Sequence, residues 1–440
     1  MVSQSMTLVR GESAFQRTAY RIVILSIWLL AFGGFRPAGR EFSVAVETVD
    51  WIALAKVVSR VLVFALLGYT CWRAFRTPTF KIIKHRLTPY SLFVLWALLS
   101  ASWSPLKAFS FGKAFGLLVC ALLSATTAWV CVDQRMRSKI LFHVVIMLLV
   151  VNIANFLSFI FLSVEHINLR GGFFMTKNEV AQNAGIEIII LLVAYIKLKW
   201  RWAKNLLVPG IGISAGLLYL ANSRTATFVT LAVIVLSLTL LLKLRQLLML
   251  SFFPIALATI LLCVNLVTGF LNPLYRGAQA YFMRGQTEQE FLYFTGRPDK
   301  WKLAFEGFLD SPIIGQGYDV TSRTGLQYLY GRWQVMNAHN LYFFILSGTG
   351  LVGMALFTWG IWRLVAPLFS YPKGEARDLA VLVLLSLLWL FGIGLLELAF
   401  LSSVNPPGVL ASVLFGIALG IEASRRLIGH QSHLVEAKRQ

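Results

Sequence analysis

This chain is poor in charge, poorer in acid, and almost without cysteine. Only 13% of its 440 residues are charged and 58% are hydrophobic, whereas about a quarter of a water-soluble domain is charged. That balance excludes an ordinary soluble protein. Its four cysteines, Cys71, Cys120, Cys131 and Cys263, fall in or at the ends of apolar runs, so disulfides are not expected to brace any part outside a membrane. No Cys/His spacing suggests zinc, and no aspartate cluster suggests the divalent metal of a sugar-nucleotide enzyme. No metal or other cofactor is therefore expected. An internal repeat is also lacking, which speaks against a carrier built from two similar halves.

What is present is a series of apolar runs, each near the length that crosses about 30 Å of hydrocarbon. Twelve spans are expected, at 19–35, 51–72, 88–104, 109–132, 140–163, 180–197, 205–221, 225–242, 247–270, 341–362, 378–400 and 408–423. The first could be mistaken for a signal peptide, but Phe35-Arg36-Pro37 follows it instead of small residues, so it is read as an uncleaved span. The expected fold class is an all-α integral membrane protein of about twelve transmembrane helices. Residues 1–18 form an N-terminal tail, 19–270 hold spans one to nine, and 271–340 make one large loop with short helices. Residues 341–423 hold the last three spans and 424–440 a C-terminal tail.

Basic residues orient this scheme. With the N-terminus inside, about 24 of the 40 lysines and arginines fall on inner segments, as the positive-inside rule requires. Both termini are then cytoplasmic. The formal charge of +21 needs no nucleic acid, because most of the excess is topological and faces anionic lipid headgroups.

The same topology gathers several polar groups on the outer face. They are Leu169 to Glu179, Asn222-Ser223-Arg224-Thr225, Thr295-Gly296-Arg297-Pro298, Gly315-Gln316-Gly317 and His339-Asn340. Arg224 sits at a two-residue turn, with Ser223 and Thr225 as candidate caps of the next span. It either snorkels to headgroups or binds a phosphate beside free helix-end N–H groups. Arg297 precedes Pro298, which suits a helix's first turn, and Trp301, Phe305, Phe308 and Leu309 mark an amphipathic helix ending near Ser311-Pro312. Arg297 either holds an anion there or pairs with Asp299 or Glu306. His339 is a structural residue at the water boundary, or a general base for a sugar hydroxyl. Lys56, Arg60, Lys113, Glu187 and Glu397 lie within spans, where a charge needs a partner or a task. They line an outward-open polar cavity, or they merely pair with one another.

With these residues in view, the chain resembles the O-antigen ligase and polymerase superfamily, including exopolysaccharide polymerases. The sharper motifs occupy about 170–227 and 294–355. Thr295-Gly296-Arg297, Trp301, Pro312, Gly315, Gly317, His339-Asn340, Gly348 and Gly350 look like the family's signature loop in order and spacing. Gly172 to Asn178 looks like a glycine-aromatic-lysine-asparagine element of exopolysaccharide members, with Thr176 where a histidine often stands.

The resemblance implies a metal-independent, inverting glycosyl transfer on the periplasmic side of a bacterial inner membrane. Its donor would be an undecaprenyl-pyrophosphate-linked glycan. Arg224, Arg297 and His339 map onto the family's catalytic set. Lys177, Asn178, Ser223, Asn340, Lys56 and Arg60 are the expected substrate-binding residues. The expected function is polymerisation of lipid-linked repeat units into an exopolysaccharide. The alternatives are a ligase passing lipid-linked polysaccharide to lipid A core and, further off, a secondary transporter or export component. Expected partners are the lipid-linked glycan, membrane lipids, and a flippase and chain-length regulator of the same pathway, with no nucleic acid.

Overall fold

A computed structural model of the chain describes residues 2–34, 51–161, 175–243, 272–283, 287, 296–329, 332–334, 338–371, 374–398, 400–401 and 404–437. Thirteen α-helices run through these residues. They are α1 Val2–Ala31, α2 Trp51–Ala74, α3 Pro78–Leu99, α4 Lys107–Val130, α5 Gln134–Phe161, α6 Lys177–Val193, α7 Arg201–Ala221 and α8 Arg224–Leu241. After them come α9 Asn272–Met283, α10 Arg297–Asp310, α11 Leu341–Val365, α12 Glu375–Gly394 and α13 Pro406–Ala437.

Nine of these helices, α2, α4 to α8 and α11 to α13, are long and apolar enough to cross a membrane. The protein is thus an all-α membrane protein, as its apolar runs predict. The expected spans 19–35 and 88–104 fall on α1 and α3, both interrupted by basic residues in their first halves. The expected span 247–270 lies outside the described residues, as do Leu169 to Phe174 and Thr295. The membrane-length stretch of α13 is 94% buried and packs along α4, whereas that of α2 is only 11% buried. The bundle is therefore built around α13, with α2 turned to its surroundings.

Three features depart from the sequence-based expectation. The expected span 378–400 stops early: α12 ends at Gly394, and Glu397 sits in the following turn, its N–H donating to Ile393 O at 2.9 Å. A carboxylate held by polar partners at a helix end avoids the cost of a charge inside a span. Helix α10 forms where expected, but its buried positions are Ala304 and Gly307, the latter against the backbone of Thr321, while Phe305 and Leu309 stay 43% and 58% exposed. Gly307 lets the loop backbone approach closely, and the rings of Trp301 and Phe305 meet Phe343 of α11 at 6.2 Å and 6.5 Å. The loop also holds a short antiparallel pair, β1 Gln327–Leu329 with β2 Arg332–Gln334, which the helical expectation did not include.

The glycines of the signature loop act through the backbone. Gln316 and Gly317 donate N–H bonds to Ser347 O and Gly348 O, each at 2.9 Å, and Leu351 donates to Pro312 O at 2.9 Å. This zips residues 312–317 against α11, which kinks at Gly350 with φ 66 and ψ −168. That region of backbone space is essentially closed to side chains, and forcing one there costs about 1–3 kcal/mol. A Cβ at Gly350 would also lie 2.3 Å from Ile313 O. Gly350→Ala is expected to lower the melting temperature of the detergent-purified protein and its level in membranes. An unchanged melting curve would show that the zip contributes nothing.

Candidate active site

Four helix N-termini meet in one place. Thr176 caps α6 in a capping box with Glu179, Asn340 caps α11 by accepting from Tyr342 and Phe343 N–H, Ser223 precedes α8, and Gly296, at φ 73, precedes α10. Each helix start carries about half a positive charge from its aligned peptide dipoles. The capping box gives Thr176 a structural role at the start of α6. Asn340 also donates through Nδ2 to Leu395 O at 2.8 Å, tying the start of α11 to the turn that carries Glu397.

Glu397 is the hub of the cluster. One of its oxygens, Oε1, accepts from Arg297 Nη2 at 2.5 Å and from Asn178 Nδ2 at 2.8 Å. The other, Oε2, lies 2.9 Å from His339 Nδ1. Its side chain is 6% exposed, against 19% for Arg297 and 25% for His339. Arg297 also donates through Nη1 to Thr225 Oγ1 at 3.1 Å, and Ser223 Oγ donates to Asn178 Oδ1 at 3.3 Å. Ser223 thus holds the capping position of α8 but turns its hydroxyl to Asn178 instead of to the helix.

Cations cluster at this site. Arg224, the first residue of α8, lies close enough to Arg297 for the two guanidinium groups to repel each other. Lys300, one turn into α10, joins them: burial pushes its ammonium pKa down, Glu397 pulls it back up, and Arg297 pushes it down further. Three cations and four helix starts therefore gather near Glu397, while Glu179 and Asp299 add carboxylates to the first turns of α6 and α10. Helix starts and guanidinium groups together, in a partly buried site, suit the oxygens of an anion.

Of the expected site residues, the structure brings together Arg297, His339, Asn178 and Ser223 by contact, with Arg224 beside them and Asn340 holding the adjoining turn. Lys177 opens α6, one residue before Asn178. Lys56 and Arg60 stand elsewhere, on α2, which packs on α1 and α4, and Arg60 faces Cys120 of α4. Lys113 pairs with Asp319 at 2.6 Å. Glu187 is fully buried among neutral donors, Asn152 Nδ2 at 2.6 Å and Ser214 Oγ at 2.9 Å. Thr225, expected only as a cap, and Lys300 join the site without having been expected there, and Glu397, expected to line a polar cavity or to pair, stands at its centre. A lone carboxylate near the edge of an apolar run was the available signal for Glu397.

Fold and site together define a multi-pass membrane protein with an anion-attracting cluster, containing one histidine-carboxylate pair, at one end of its bundle. Residues 209–358 match the family described as O-antigen ligase, which supports the O-antigen ligase and polymerase superfamily for this chain. The matched stretch contains Arg224, Arg297, His339 and Asn340 but neither Asn178 nor Glu397. No curated protein matches the chain.

Proposed function

We propose that the protein is an inner-membrane glycosyltransferase that polymerises undecaprenyl-pyrophosphate-linked repeat units into a bacterial exopolysaccharide. The observation that carries this reading is the binding of Arg297 and His339 to opposite oxygens of Glu397, beside Arg224. One half of the cluster suits a diphosphate, the other a proton transfer. Both termini would be cytoplasmic and the cluster periplasmic, with residues 271–340 as the periplasmic loop.

The chemistry follows from the geometry. An ionised carboxylate only accepts, so Nδ1 of His339 carries the proton it shares with Glu397, and Nε2 becomes the basic nitrogen. The acceptor sugar's hydroxyl oxygen attacks the anomeric carbon of the donor as its proton passes to Nε2. The anomeric C–O bond to the pyrophosphate breaks on the opposite face, inverting the centre. The electron pair leaves with the lipid pyrophosphate, whose new charge is met by Arg224, Arg297 and the helix starts. Because pyrophosphate is already a good leaving group, this scheme calls for neither a metal nor a second carboxylate. Lys177, Ser223, Asn178 and Asn340 would orient the phosphates and sugars around it.

Asn178 favours the polymerase, since the lysine-asparagine element resembling exopolysaccharide members joins the cluster directly through Glu397. A ligase acting on lipid A core is the second reading, supported by the description of the matching family. Purified protein should be mixed with lipid-linked repeat units, with and without lipid A core, and the products sized. A ladder of polymer without core supports polymerase. Products that require core make it a ligase, and no glycan transfer in either mixture defeats both.

A further inference from the structure

At the end of the bundle away from Glu397, α3, α11 and α13 crowd guanidinium groups around one carboxylate. Glu422 Oε1 on α13 accepts from Arg86 Nη2 of α3 at 3.1 Å and from Arg426 Nε at 2.7 Å, while Tyr371 donates its hydroxyl to Oε2 at 3.2 Å. Arg363, near the end of α11, donates to His85 Nε2 at 3.0 Å and to His85 O at 3.4 Å. Arg86 lies within electrostatic reach of both Arg363 and Arg426, and Arg425 stacks over the Tyr371 ring at 5.4 Å. Two arginines thus share one acid, with Arg363 and Arg425 beside them.

Two of these arginines have a donor to spare. The Nε atoms of Arg86 and Arg363 are buried and lack a hydrogen-bond partner. A buried unpaired donor on a charged group is costly, and here it sits amid excess like charge. Both facts point to an anionic oxygen as the missing acceptor. Arginine is well suited to phosphate, since its planar fork matches two oxygens at once.

Position identifies the source of that phosphate. Arg363 stands 22 residues beyond Leu341 on the same helix, or about 33 Å at 1.5 Å per residue, close to the thickness of a bilayer's hydrocarbon. If Asn340 marks one water boundary, Arg363 marks the other. Trp359, Trp362 and Phe369 flank it at 49%, 64% and 70% exposure, as aromatic residues do at a membrane interface. The occupant meets guanidinium groups and lipid-facing rings together, so it is an amphiphile and not a soluble ion.

We propose that Arg86, Arg363, Arg425 and Arg426 form a headgroup site for an anionic phospholipid, between α3, α11 and α13, on the membrane face opposite Glu397. The site binds the headgroup phosphate and ties three helices together through it. Melting of the full-length protein in neutral detergent tests this, with phosphatidylglycerol, phosphatidylcholine or inorganic phosphate added. Phosphatidylglycerol alone should raise the melting temperature, by on the order of 3 °C near saturation. The Arg363→Gln/Arg426→Gln variant should lose that rise. An equal rise with phosphatidylcholine, or a full rise with inorganic phosphate, overturns the proposal, as does a variant that responds like wild type. Should the variant fail to fold, native mass spectrometry of the wild-type protein decides. Selective retention of phosphatidylglycerol from an equimolar mixture supports the site, and indifference between the two lipids removes it.

Discussion

Arg297→Ala is expected to lower the rate of glycan transfer by about 10²–10³-fold, the usual cost of removing one preorganised donor from a developing anion, while leaving the protein's level in the membrane near normal. Arg297 begins α10, so its side chain and the helix's exposed N–H groups address the same anion. Its two terminal nitrogens are already held apart, Nη1 at Thr225 and Nη2 at Glu397. That fixes the guanidinium plane before substrate arrives. Arg297→Lys keeps the charge without the planar fork and should recover only part of the rate. Arg224→Ala is expected to act in the same direction, and the double substitution to cost less than the product of the two, since the proposed scheme has both groups serve one pyrophosphate. Immunoblotting of membranes with a transfer assay on lipid-linked repeat units checks both halves of the statement. Polymer at the wild-type rate from Arg297→Ala would remove that residue from the site.

Much of this site is legible in the sequence, for a reason specific to membranes. Crossing the bilayer is an all-or-none property of an apolar run, so counting spans places Asn178, Arg224, Arg297 and His339 at one end of the bundle. Asn178, Arg297 and His339 meet at Glu397, and Arg224 lies beside Arg297. Local signals also served: Pro298 and the spacing of Trp301, Phe305 and Phe308 predict α10 nearly to its ends. Glu397 was harder because its neighbours are apolar on both sides, and nothing in Leu395-Leu396-Glu397 marks the end of a helix as a proline would. The turn there is set from a distance, by Asn340 reaching Leu395 O. Likewise Gly315 and Gly350, 35 positions apart, read as a family pattern. Only their close approach across the zipped loop gives them a physical role. Lys56 and Arg60 show the limit of the same logic. Being in the outer half of a span sets depth but not which neighbour a helix faces, and α2 packs on α1 and α4.

Glu397 and His339 should fail together. His339→Ala removes the base and is expected to slow transfer by about 10²–10⁴-fold. Glu397→Gln preserves size but replaces an acceptor-only group by one carbonyl and one amide. If the carbonyl stays with Arg297 and Asn178, the amide N–H₂ faces His339 Nδ1, which must then accept, and the ring proton moves to Nε2. The imidazole is then in the wrong tautomer to take a hydroxyl proton. If the amide flips, His339 keeps its tautomer, but Arg297 loses the anion that fixes it and faces a donor instead. Either orientation is harmful, so Glu397→Gln is expected to approach the loss of His339→Ala. The double variant should be little worse than His339→Ala alone, because a positioning residue has nothing left to position once the ring is gone. A purely structural Glu397 behaves differently: its replacement would lower membrane level and melting temperature, with the rate per folded molecule unchanged. Full transfer per folded molecule from Glu397→Gln, with His339→Ala inactive, would therefore reduce Glu397 to a packing partner. Multiplying losses in the double variant would mean that the two side chains act in separate steps.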